Sequence, residues 1–165
     1  MKRIYLLRLV DALPREDFES DHARELTGEG DRDARRLGRF LSATDQIPDR
    51  IVTSTAVRAR ATAAELPEGG QWMTDVPVRE TRSLYECDAE DVLEEIRTTG
   101  ADARSVLLVG HQPTWGAAVR QLAGDARVNL PPCACVRIDV ETDAWDTIQF
   151  GDGAVDWVLP PRLLR

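Results

Sequence analysis

The chain has 165 residues, 42% hydrophobic and 30% charged, with a formal net charge of −8. That is the length of one domain, residues 1–165, with enough chain to bury a core without staples. The acidic excess argues against a nucleic-acid partner, which needs a basic face to release counterions. With only two histidines, His22 and His111, a metal site built mainly from imidazole is ruled out.

In chain order, residues 3–10 form a continuous apolar run that predicts a buried strand. Residues 11–28 read as a polar loop, with His22 in the stretch ESDHARELT expected at the surface. Residues 31–42 place Ala34, Leu37 and Leu41 at helical spacing. Residues 50–53 predict a short strand, and 56–66 an alanine-rich helix ending before Pro67. Residues 78–85 read as extended, 89–98 as a helix with Val92, Leu93 and Ile96 inward, and 105–110 (SVLLVG) as a second buried strand. A helix over 114–123 follows. Residues 135–140, 147–151 and 154–159 then alternate between turn signals and predict antiparallel strands. Strand–helix alternation over three-quarters of the chain predicts an α/β three-layer sandwich. Its sheet is mainly parallel, with helices on both faces and antiparallel C-terminal strands.

Three cysteines, Cys87, Cys133 and Cys135, do not make a disulfide framework and read as reduced thiols. The N-terminal apolar run is too short for a signal sequence, and nothing approaches a membrane span. These features predict a cytoplasmic protein with no membrane partner.

In open α/β sheets, ligands sit beyond the carboxyl ends of the strands. At those ends the sequence places Arg8-Leu9-Val10-Asp11, then Thr53-Ser54-Thr55 with Arg58 in the next turn, then Tyr85-Glu86-Cys87, then Gly110-His111-Gln112-Pro113. Two guanidiniums and an imidazole converging beside a carboxylate would make an anion pocket. Arginine stays charged and binds phosphate oxygens in a bidentate manner. Plainer readings stand beside this one: Arg58 as a solvated helix residue, His111 as a structural histidine, Glu86 as a loop acid. Arg8, inside IYLLRLV, must be paired or lie at the strand's end, because an unpaired buried charge is very costly.

Taken together and in order, YLLRLVDA, ELTGEGDRDARRLGRFL, IVTSTAVRARATAAEL, LYECDAEDVLEEI, VLLVGHQPTW and WVLPPRLL resemble the histidine phosphatase superfamily. Its phosphoglycerate mutase-like fold is expected here, and its short SixA-type phosphohistidine phosphatases are the nearest resemblance. The resemblance implies phosphate-binding roles for Arg8, Arg58 and His111, and a proton-donating role for Glu86. Ser54, Ala59 and Thr62 match the pattern around the second arginine, with Thr55 in place of its proline. It implies no metal and no cofactor. Its partners would be phosphate, a phosphorylated small molecule or a phosphohistidine protein.

One position departs decisively. The family's nucleophilic histidine corresponds to Leu9, and Val10 replaces the small residue after it; His22 matches no family histidine. The family reaction passes through a phosphohistidine, which needs a nitrogen lone pair aimed at phosphorus. Leucine has none at any pH. The sequence therefore predicts a pseudophosphatase that binds a phosphoryl group with absent or weak catalysis. Two alternatives stay open. One is a rewired phosphatase using His111, water activated by Glu86, or the Cys87 thiol. The other is an interaction scaffold with a vestigial pocket, whose sign would be a salt bridge from Asp11 or Glu86 to the arginines. The oligomeric state is left open.

Overall fold

A computed structural model describes residues 1–9, 19–25 and 27–165. Val10 and Asp11 lie outside the described residues. The strands are β1 (Lys2–Arg8), β2 (Arg50–Ser54), β3 (Val78–Thr81), β4 (Ser105–Gly110), β5 (Cys135–Val140) and β6 (Gly153–Leu159). The helices are α1 (Gly28–Ala43), α2 (Val57–Gly70), α3 (Ala89–Arg97) and α4 (Thr114–Leu122). The sheet order is β3-β2-β4-β1-β5-β6. The first four of these strands run parallel; β5 is antiparallel to β1, and β6 to β5. This is the predicted α/β sandwich.

The period-two alternation of the central strands divides the core. Ile4, Leu6, Val106 and Leu108 pack on one face with Val92, Ile96, Trp115 and Val119 of α3 and α4. Tyr5, Leu7, Leu107 and Val109 pack on the other with Leu37, Leu41, Ala59 and Leu66 of α1 and α2. Near-continuous burial of β1 and β4 is what a parallel strand covered on both faces requires.

Three predicted boundaries change. Helix α2 continues through Pro67 to Gly70 instead of stopping before the proline. A left-handed Gln71 closes it, with the Trp72 N–H donating to the Pro67 carbonyl. The close α1–α2 contact holds this end: a Cβ on Gly38 would stand 1.9 Å from the Leu66 carbonyl oxygen, so only glycine lets the helices approach this near. The extended reading over 78–85 divides into β3 and a 3-10 turn, Arg82–Leu84. The strand expected over 147–151 is instead the tail of a 3-10 turn, Trp145–Thr147. Trp145 and Ile148, three apart, both enter the core, and the Trp145 indole donates to the Ala103 carbonyl. A spacing of three buries on a turn what a spacing of two would bury on a strand.

Candidate functional site

The carboxyl ends of β1, β2 and β4 meet because those strands are sheet neighbours, with Arg8 level with Gly110 and Thr53 level with Val109. Gly110 ends β4 beneath the Trp115 ring, where a Cβ would fall 2.1 Å from the indole. Trp115 is fully buried and its indole donates to the Leu108 carbonyl, so packing fixes the turn that carries His111.

His111 is tied on both ring nitrogens. Arg58 Nη2, which can only donate, stands 3.3 Å from Nδ1; the ring hydrogen is therefore on Nε2, which donates to Ser54 Oγ at 2.9 Å. Ser54 Oγ also accepts from the Ala56 N–H at the start of α2. Burial, with the Arg58 charge beside it, pushes the His111 pKa down to about 4, so the imidazole is neutral at pH 7.

Arg58 is buried, and its guanidinium is engaged by one residue twice over. Nη1 donates to the Asp21 backbone carbonyl at 2.7 Å, and Nη2 to the Asp21 carboxylate at 3.1 Å. That carboxylate also accepts from the Tyr85 hydroxyl at 2.9 Å and from Arg24 at 3.0 Å. Burial alone would raise its pKa. The bonds from Arg24 and Tyr85 and the Arg58 charge outweigh it and hold the carboxyl at about 2, fully ionised at neutral pH.

The residue next to Asp21 overturns an expectation. His22 is not a solvated loop residue. It lies on the 3-10 turn Asp21–Ala23, shares a 2.9 Å hydrogen bond with Thr55 Oγ1, and meets the Tyr85 ring edge-on at 4.9 Å. Tyr85 in turn meets His111 edge-on at 5.4 Å. Both histidines of the chain therefore belong to one cluster, joined by Tyr85. A salt bridge of the kind expected of a blocked pocket is present and comes from Asp21; Glu86 makes none with Arg58 among the described residues, and Asp11 lies outside them.

The other expected residues fall as follows. Arg8 is partly buried and donates to the Leu130 carbonyl at 2.6 Å. Leu9 is 9% exposed and packs with Leu7, Ala56 and Ala59 in the α1–α2 cluster. Its backbone is pinned between β4 and the turn before β5: its N–H donates to the Gly110 carbonyl, and the Cys133 N–H reaches the carbonyls of Arg8 and Leu9. Glu86 is exposed, at φ +53, and makes no bond to Arg58 or His111 among the described residues. Burial, with Asp91 nearby, pushes the Cys87 thiol up to about 11, which keeps it protonated and a poor nucleophile. Among the described residues no group of three His, Cys, Asp or Glu side chains is placed to hold a metal ion. No helix there is long and apolar enough to cross a membrane.

Residues 13–92 match the family model of the histidine phosphatase superfamily, branch 1. Over those residues the chain is similar to the histidine phosphatase superfamily. Its fold matches that of the candidate phosphohistidine phosphatase SixA from Nakamurella multipartitia, with a TM-score of 0.83 at 26% identity over 97% of this chain and 96% of that one. The protein histidine phosphatase SixA complexed with tungstate shares the fold with a TM-score of 0.83 at 23% identity, over 99% of each chain. In sequence, the uncharacterized protein ML1117 of Mycobacterium leprae is 34% identical over 113 residues, 68% of this chain and 66% of that protein. The match thus spans just under two thirds of that curated relative. The superfamily fold is complete here, down to the antiparallel strands β5 and β6.

Proposed function

We propose that this histidine phosphatase-family protein binds phosphate or a phosphoryl group, on a small molecule or on a protein histidine, and hydrolyses it weakly or not at all. The single observation behind this reading is Leu9. It occupies the end of the first strand, where the superfamily's phosphorylated histidine would stand, and it is packed into the core. A hydrocarbon side chain offers phosphorus no lone pair, so no phosphohistidine forms at this position. Arg58, His111 and Ser54 remain joined at the ends of β2 and β4. They retain donors for phosphoryl oxygens, and Arg58 retains its charge.

Proton supply supports the same reading. His111 is neutral at pH 7 with its Nδ1 lone pair already facing a donor. Glu86 is exposed and makes no hydrogen bond to Arg58 or His111 among the described residues. The described residues thus present a charged cradle rather than an assembled nucleophile and acid. The Asp21–Arg58 pair favours a second reading, an interaction scaffold whose pocket is closed for good.

Calorimetric titration with tungstate separates the two. The binding reading expects millimolar or tighter association, weakened by about tenfold or more in Arg58→Ala, because one bidentate charged contact is removed. No heat of binding at any accessible concentration would favour the scaffold. Turnover of p-nitrophenyl phosphate by the natural protein, lost in His111→Ala, would replace both with a rewired phosphatase.

A further inference from the structure

The 3-10 turn Asp21–Ala23 occupies the arginine that a phosphoryl group would use. A guanidinium grips a phosphate with two N–H groups side by side. Both terminal nitrogens of Arg58 already donate to Asp21, Nη1 to its carbonyl and Nη2 to its carboxylate. The remaining direction from Nη2 leads to His111. Asp21 therefore presents Arg58 with two oxygens and one negative charge, an imitation of one face of an oxyanion.

The turn is built to come away. It is three residues long and buries none of its side chains. Among the described residues its contacts with the site are Asp21 on Arg58 and Tyr85, and His22 on Thr55 and the Tyr85 ring. Arg24, three residues on, pairs with Asp21 from the same segment. The turn itself contributes no buried side chain, and water can replace each of these polar contacts at small net cost. A tetrahedral dianion, with more oxygens and twice the charge, can take its place on Arg58.

We propose that residues 21–23 are a displaceable strap whose Asp21 carboxylate competes with the phosphoryl group for Arg58, so that the site is closed until a ligand displaces it. The proposal rests on the binding reading above and adds its regulation. Only the open fraction of molecules accepts the ligand, and the apparent dissociation constant is raised by the inverse of that fraction.

Two variants loosen the strap by different means. Asp21→Asn keeps shape and backbone while removing the carboxylate charge. Thr55→Val leaves the charge in place and removes the anchor of His22. Tungstate titrations of the natural protein, both variants and Arg58→Ala carry the test, with circular dichroism melts confirming that each is folded. Asp21→Asn is expected to bind tungstate about tenfold more tightly, and Thr55→Val about threefold. Binding by both Asp21→Asn and Thr55→Val, with none in the natural protein, also supports the strap and shows it shut at rest. Unchanged or weaker binding in Asp21→Asn, with clear binding by the natural protein, overturns the strap and leaves the binding reading intact. Tightening in Asp21→Asn with none in Thr55→Val overturns it too, since simple charge repulsion then suffices. Absence of binding in all the folded proteins overturns the binding reading itself, and the strap with it.

Discussion

The ends of β1 and β4 lie side by side, Arg8 level with Gly110, yet they meet the site in opposite ways. At the end of β4 the backbone is fixed by a buried tryptophan, and the next side chain, His111, is held on both nitrogens by polar partners. At the end of β1 the backbone is fixed by hydrogen bonds to Gly110 and Cys133, and the next side chain, Leu9, joins the apolar core. On the proposed reading, the scaffold of the site and its reactive atom are separable. Main-chain bonds and packing hold both strand ends, and the fold closes with leucine at residue 9.

The largest expected effect is at the β4 end. Trp115→Ala empties the space above Gly110 and should cost about 3–5 kcal/mol of stability, read from denaturant melts. A cost below about 1 kcal/mol would mean that the tryptophan does not set the His111 turn. At the β1 end, Leu9→Ala should cost about 2–3 kcal/mol, as expected for a large side chain buried beside a site opening. A neutral result would place Leu9 in the pocket rather than in the core.

Acid sharpens the contrast further. The folded pKa of His111 lies near 4, below the unfolded value near 6.5. Between these values the unfolded chain takes up a proton that the folded one refuses, so this contribution is complete above pH 6.5 and lost as pH falls toward 4. The loss is on the order of 3 kcal/mol and should be absent in His111→Gln. Asp21 adds a loss of the same sign lower down, as pH falls from 3.8 toward 2. If His111→Gln showed the same slope as the natural protein between pH 6.5 and 4, the buried neutral imidazole would be refuted.

Much of this was legible in the chain. β1 and β4 announce themselves as unbroken apolar runs, and Arg58 and His111 are singled out by standing just beyond strand ends. Leu9 was visible as an apolar residue in a motif that calls for histidine. Asp21 and His22 were not legible, because their partners are distant: Arg58 is 37 residues from Asp21, and Thr55 is 33 from His22. Locally, ESDHARELT has the composition of any solvated loop, and no periodicity marks the turn that carries them. The Asp21–Arg24 spacing of three, matching a local ion pair, was the only nearby hint. Residues 147–151 differ from the expected strand for a related reason: Thr-Ile-Gln-Phe alternates like a strand, while Trp145 upstream decides the packing.

The separability of scaffold and reactive atom is tested most directly by restoring the atom. Leu9→His with Val10→Ala puts an imidazole and a small neighbour at the end of β1, beside the retained Arg58 and His111. Hydrolysis of p-nitrophenyl phosphate or phosphohistidine should rise at least about a hundredfold above the natural protein, while tungstate affinity changes by less than about tenfold. A natural protein that already turns over substrate as fast as the double variant would contradict the account, as would a folded double variant that binds tungstate and remains inert.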